Sequence, residues 1–274
     1  MKLDVDLPKI PELGIMQGRL IDPPNGDDLD WFPFDNWEQE FSIAQSLSLN
    51  SIEFVIDREM SKNNPLWNQI GRDRINELYK KHTLKPIACC VNFVIDNLIS
   101  DGAIFDRVKD VIKYVSELGF KFVIIPLFGL SELKFDRENN FKNNVNVLAD
   151  YADKNNLNLL IETNYTGKET LNFLSKLQNK NVGVVYDVGN ATGCGHNIEN
   201  DFAILSGVIK HIHIKDKNLV GDNVPLGDGI VDLANFFEIL KINKYEGACT
   251  LETARGVNAL SNATNNINYL KGVL

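Results

Sequence analysis

The feature that most constrains this chain is an alternation. Short runs rich in β-branched and apolar residues recur at 13–20, 51–57, 86–93, 122–129, 158–164, 182–190, 209–217 and 247–253, and helical spacings fill the gaps between them. Several runs are apolar almost throughout, as in FVIIPLFG at 122–129 and VGVVYDVGN at 182–190, which is what parallel strands covered on both faces require. Between the runs, apolar residues fall three or four apart. Trp37, Phe41, Ala44 and Leu47 follow Asn36, which is placed to cap; Leu66, Ile70 and Leu78 follow Pro65; Phe105, Val108, Val111, Val115 and Leu118 come next. Further stripes run through Phe141 to Ala152, Leu171 to Leu177, Leu233 to Leu240 and Leu260 to Leu270, with a short, weak one at Phe202 to Leu205. Asn50, Gly119 and Asn156 sit at helix-to-strand joints, where a left-handed residue ends a helix at low cost. Eight strand–helix repeats without a Pro/Gly/Ser linker predict a single α/β domain over residues 1–274, a closed (β/α)8 TIM barrel. An open doubly wound sheet is the alternative, and no GxGxxG follows the first run to support it.

Charge and targeting signals narrow the partners. The 274 residues carry a formal charge of −9, which repels phosphate backbones and argues against a nucleic-acid partner while leaving small polar substrates open. No stretch approaches the ~20 apolar residues of a membrane span. The opening MKLDVDLPKI is acidic where a secretory signal would be apolar, and Cys89, Cys90, Cys194 and Cys249 show no CxxC spacing. A reduced, cytoplasmic setting is expected.

In a (β/α)8 barrel the active site forms at the C-terminal ends of the strands. Four consecutive runs place a ligand-type residue there: Glu162 in IETN, Asp187 in YDVGN, His213 in HIHIKD and Glu252 in LET. Buried carboxylates are costly unless paired or bound to a cation, so three of them with an imidazole call for one divalent metal ion. The oxygen-rich set suits Mn²⁺ first, with Mg²⁺, Co²⁺ or Zn²⁺ compatible. Any one of these residues alone would read as a surface or rim ion-pair residue; four in succession at equivalent positions favour the metal site.

Other polar residues fall near the same mouth. Gln17 and Arg19 share a face after the first run, where either can bind a substrate oxygen or Arg19 can pair with Glu53. Glu53 lies inside the second run and is expected to line the pocket. Asn92, Asn164 and Asn190 end their runs, Lys215 shares a strand face with His213, and Lys217 and Arg255 are candidates to hold an anionic group. His211 reads as a satisfied core histidine one layer below His213, His196 as a loop residue and His82 as a helix-end residue.

With these residues in view, the chain resembles the xylose isomerase-like superfamily of barrels, in its sugar phosphate isomerase/epimerase (ketose 3-epimerase-like) branch. The resemblance rests on IETN, YDVGN, HIHIKD and LET, with MQGRL at 16–20, IEF at 52–54 and VPLGDGIVD at 224–232, and covers nearly the whole chain. It implies that Glu162 and Glu252 bind metal and also act as acid and base on opposite faces of a sugar, through an enediolate. Two departures touch substrate rather than metal. Asn190 stands where many ketose epimerases have a histidine, and Lys217 where many have an arginine. A small sugar or sugar phosphate is the expected substrate. The outcome can be epimerisation or aldose–ketose isomerisation, and an inosose dehydratase-like lyase could use the same acid/base pair. An apurinic endonuclease-like phosphodiesterase is disfavoured by a total of four histidines, and a non-catalytic barrel by the complete ligand set. The long loop Ile21 to Phe34 reads as a lid or interface, with Trp31, Phe32 and Phe34 exposed, and a homodimer or tetramer is expected.

Overall fold

The structure is a computed structural model that describes residues 12–23 and 31–274; the reading of the first ten residues and the middle of the Ile21–Phe34 loop fall outside them. Eight parallel strands close into a barrel: β1 (Leu13–Met16), β2 (Ser51–Ile56), β3 (Ala88–Val91), β4 (Phe122–Pro126), β5 (Asn158–Glu162), β6 (Gly183–Asp187), β7 (Ile209–Ile214) and β10 (Ala248–Leu251), with β10 closing on β1. Two short strands, β8 (Asp216–Lys217) and β9 (Asn223–Val224), form an antiparallel ribbon beyond β7. The helices between strands are α1 (Gln39–Ser46), α2 (Gln69–Lys81), α3 (Gly102–Glu117), α4 (Glu138–Lys154), α5 (Gly167–Ser175), α6 (Val188–Gly193), α7 (Ile198–Leu205), α8 (Leu233–Ile242) and α9 (Ala259–Val273). This is the (β/α)8 barrel that the alternation predicts.

Strand parity divides the interior in two. Residues such as Ile15, Ile52, Phe54, Ile125, Ile161, Ile212 and Leu251 face outward into one apolar layer beneath the helices. The alternate positions, among them Ala88, Cys90, Ile124, Leu160, Val185 and Ala248, plug the barrel axis. One register step further along the same inward rows, the plug gives way to acids, imidazoles and a lysine. His213 pairs with Asp187 on one side and Thr250 on the other, and Glu162 pairs with Pro126.

Three local expectations change. Asn36 is not the cap of α1: Glu38 holds that position without a side-chain bond, and Asn36 Oδ1 accepts from Gln39 Nε2 instead. Pro65 opens a separate 3₁₀ turn, Pro65–Trp67, and Asn68 then caps α2 through Gly71 N, which resets the helical phase and leaves Ile70 82 % exposed. Phe32 is buried, packed against Phe34 and Phe54 at ring separations of 5.1 and 5.7 Å, so that part of the loop belongs to the core rather than to an exposed patch. Among the described residues no helix is long and apolar enough to cross a membrane.

Candidate metal centre

Each strand delivers its side chain at the point where pairing ends. Glu162 is the last residue of β5 and Asp187 the last of β6, where it also caps α6 by accepting from Asn190 N at 2.8 Å. His213 is the inward residue near the end of β7, and Glu252 follows β10 directly. One ligand atom from each of Glu162, Asp187, His213 and Glu252 lies within 4.8 Å of the others. His213 Nδ1 is 2.9 Å from Glu252 Oε2 and 3.6 Å from Glu162 Oε2.

Lys215 enters the cluster from the same strand row, with Nζ 2.7 Å from Asp187 Oδ2 and 2.9 Å from Glu252 Oε2. Gly189 makes that approach possible, since a Cβ there would sit 2.3 Å from Lys215 Cγ. Despite these short ion-pair distances, Asp187 Oδ2, His213 Nδ1 and Glu252 Oε2 are buried and complete no hydrogen bond of acceptable direction. Groups of that kind are expensive unless something else binds them. The donor set therefore fits a divalent cation: three carboxylates and one imidazole converge, and the ligands are oxygens with one nitrogen.

The electrostatics show how crowded the site is. Burial pushes the Glu162 carboxyl up to about 7, with Glu252 and Asp187 adding to the rise and His213 opposing it. Burial also raises Asp187, against the pull of Lys215. At Glu252 burial is outweighed by Lys215 and His213, which hold it well below the usual carboxylate range. His213 is raised well above its ordinary value: burial opposes its charge, and Glu53, Glu162 and Glu252 overcome that.

The remaining candidates separate by position. Asn190 reaches the cluster, its Nδ2 donating to Glu162 Oε1 at 3.4 Å. Gln17 is buried just past β1, and neither its amide oxygen nor its amide nitrogen has a partner. Arg19 is buried with its Nη2 against Met16 Sδ, and its charge helps lower Glu252. Glu53 is 1 % exposed and is engaged by His211 and His213 rather than open to a ligand. Burial would raise it, but the two imidazoles bring it down to about 2. Asn92 is buried and accepts from Cys90 Sγ. Asn164 is exposed, and Lys217 turns to the ribbon, where Nζ donates to Gly221 O at 3.1 Å. Arg255 is buried; its Nε donates to Gly18 O and its Nη2 to Trp31 O at 3.1 Å, with its guanidinium over the Trp31 ring. His211 is the satisfied core histidine expected, through Nε2, whereas His196 is more than a loop residue: its Nδ1 lies 3.5 Å from Asp201.

Two residues escaped the sequence reading. Asp216 is fully buried and accepts from the backbone N–H groups of Lys217, Gly227, Gly229 and Val231, tying down the segment behind β7. Gly229 is required there, because a Cβ would sit 2.2 Å from Asp216 Oδ1. The signal was present in KDK and GDGIVD, an acid and a glycine-rich turn. Glu40 is 1 % exposed in α1 and accepts from Gly18 N and Leu20 N, in a helix whose sequence gives no hint of a buried charge.

Comparison with known proteins agrees with this fold. A family model described as xylose isomerase-like TIM barrel matches residues 41–272. L-ribulose-5-phosphate 3-epimerase UlaE of Shigella flexneri serotype 5b is 23 % identical over 235 residues, covering 79 % of this chain and 81 % of that protein. Among solved structures, 3-keto-D-glucoside 4-epimerase YcjR from E. coli superposes with a TM-score of 0.76 at 14 % identity, covering 96 % of this chain and 100 % of that one. The IOLI protein with a binding zinc atom gives 0.74 at 18 % identity, with 96 % and 97 % covered.

Proposed function

The chain belongs to the xylose isomerase-like TIM barrel family, and we propose that, as an isomerase of that family, it epimerises or isomerises a small sugar or sugar phosphate in a divalent-metal-dependent reaction. The observation that carries this reading is the convergence of four ligand atoms within 4.8 Å, three of them buried without a hydrogen bond. Glu162, Asp187, His213 and Glu252 would hold the ion. Held there, the ion would supply Lewis-acid polarisation of a substrate carbonyl and so acidify the neighbouring C–H.

The protons are moved by the chain's own carboxylates. Glu162 and Glu252 stand at the ends of strands separated by β6 and β7, and the family resemblance implies that they address opposite faces of the substrate. One carboxylate oxygen takes the proton from carbon and the other returns one, which inverts the centre. Lys215 Nζ keeps a positive charge beside Glu252, and Asn190 Nδ2 holds Glu162 in place. Mn²⁺ is the metal proposed first, and a homo-oligomer the proposed assembly. The zinc atom of the IOLI protein, which shares this fold, supports a divalent ion here.

The test is ¹H NMR of a ketose and ketose-phosphate panel in D₂O with Mn²⁺-loaded enzyme. Solvent deuterium entering at a carbon next to the carbonyl, and absent with Glu162→Gln and Glu252→Gln, is the expected result. A product lighter by one water would instead identify a lyase, and exchange that survives both substitutions would remove the assigned acid and base.

A further inference from the structure

Directly beneath the ligand cluster lies a second buried group that substrate cannot reach. Glu53, His211 and His213 are each no more than 1 % exposed. His213 Nε2 is 3.0 Å from Glu53 Oε1 and 3.2 Å from Oε2; His211 Nε2 is 2.7 Å from Glu53 Oε2 and 2.9 Å from Thr250 Oγ1. The two rings stand nearly perpendicular, at 87°, so both Nε2 atoms converge on one carboxylate from different directions.

We propose that Glu53 is a positioning residue for the metal-binding histidine: it accepts the Nε2–H of His213 and so leaves Nδ1, the nitrogen that faces Glu162 and Glu252, to bind the metal. A carboxylate has no proton to give, so the hydrogen on this bond belongs to the imidazole. With Nε2 committed to Glu53, Nδ1 is the ring nitrogen left for a metal ion, and that atom is the one beside Glu252 and Glu162. His211 supplies the second donor to Oε2, which prevents the carboxylate from rotating away from His213. His211 Nδ1 has no hydrogen bond, so that ring is held through Nε2 alone. Buried carboxylates behind ligating imidazoles raise ligand basicity and orient the ring, and their loss typically costs ~10–100-fold in metal affinity.

Glu53, His211 and His213 also have ligand atoms close enough to hold an ion of their own. That arrangement would require His213 to serve two ions at once, one through each nitrogen. The relay needs only the contacts described.

The inference rests on the reading of His213 as a metal ligand, and two measurements keep the two claims apart. In the metal-free protein, ¹H–¹⁵N correlation of the imidazoles, assigned with single His82→Gln, His196→Gln and His211→Gln substitutions, should show a slowly exchanging proton on His213 Nε2. In Glu53→Gln, whose amide can donate as well as accept, that proton should be lost or exchange faster. Calorimetric titration with Mn²⁺ should give one ion per wild-type chain and an affinity lowered ~10–100-fold in Glu53→Gln, with Glu53→Asp in between. A purely structural Glu53 would lower the melting temperature while leaving the folded protein's Nε2 proton and affinity unchanged. Wild-type His213 without a proton on Nε2, or Mn²⁺ affinity in Glu53→Gln within about twofold of wild type with an unchanged Nε2 proton, would overturn the proposal. So would two ions per chain, one of them lost in Glu53→Gln. The wild-type Nε2 proton decides the matter if Glu53→Gln fails to fold. A wild-type chain that binds no Mn²⁺ would refute the proposed function, and the Nε2 proton would still stand or fall by itself.

Discussion

Two clusters of buried charge sit near the same end of the barrel and behave differently. In the first, Glu40 accepts from Gly18 N and Leu20 N, while Arg255 donates to Gly18 O and Trp31 O. The carboxylate's oxygens take up backbone donors, and the effect is to pin the chain after β1 to α1 and to the segment after β10. In the second, Asp187, His213 and Glu252 each keep a buried atom without a hydrogen bond, although Lys215 lies within 3 Å of two of them. Burial and charge are common to both clusters. What differs is whether backbone N–H groups take up the carboxylate oxygens, as they do at Glu40, and the cluster whose acids keep open oxygens is the one read as functional.

The widest separation between the clusters should appear in activity. Glu162→Gln and Glu252→Gln are each expected to lower turnover by roughly 10²–10⁴-fold, as loss of an acid or base does; in the metal-free protein Glu162→Gln should leave the melting temperature unchanged or higher, whereas Glu252→Gln, which takes an ion-pair partner from Lys215, should lower it. Glu40→Ala should do the reverse. It strands two buried N–H groups and is expected to cost about 3 kcal/mol in urea unfolding, with Mn²⁺ affinity intact once the protein is folded. An equal loss of metal binding in Glu40→Ala would erase the distinction.

Metal should stabilise only through the second cluster. At a free Mn²⁺ concentration about 100 times Kd, unfolding should cost about 2.7 kcal/mol more, and chelation should reverse the gain. Acidity offers a comparison of sign. Glu162 and Glu40 are both raised from the ordinary 4.5 to about 7, so between those values the folded metal-free chain binds more protons than the unfolded one. Their contribution to stability is complete below pH 4.5 and is lost as pH rises through 7. With Mn²⁺ bound the trend at Glu162 reverses, because protons compete for the ligand and metal stabilisation falls with pH. Thermal melts from pH 5 to 8 with and without Mn²⁺ check both slopes. The smallest effect is expected at Lys217→Ala: its ammonium bonds Gly221 O on the ribbon, and stability should change by less than about 0.5 kcal/mol.

The barrel and its ligand cluster were legible because both are written locally. Parallel strands buried on both faces must be apolar along their length, and an acid at the end of such a run stands out, as Glu162, Asp187 and Glu252 do. Features that depend on distant partners were not legible. Glu40 resembles an ordinary helix-surface acid, and its partners are 20 and 22 residues away. Arg255 looked free to hold an anion, yet it meets Gly18 across 237 residues. The stretch after Asp187 hid a helix, because Gly189 and Gly193 lower helix propensity; α6 forms there with Asp187 as its cap and leaves room for Lys215. Glu53 was recognisable as an inward residue, but its two imidazole partners lie 158 and 160 residues on.

The measurement closest to the central claim is Mn²⁺ stoichiometry by calorimetric titration, compared across wild type, Asp187→Ala, His213→Ala and Glu40→Ala, each first shown to be folded by circular dichroism. One ion per chain in wild type and Glu40→Ala, with binding lost in the other two, is the result predicted. Folded wild type that takes up no ion, or binding that persists in both Asp187→Ala and His213→Ala, would contradict it.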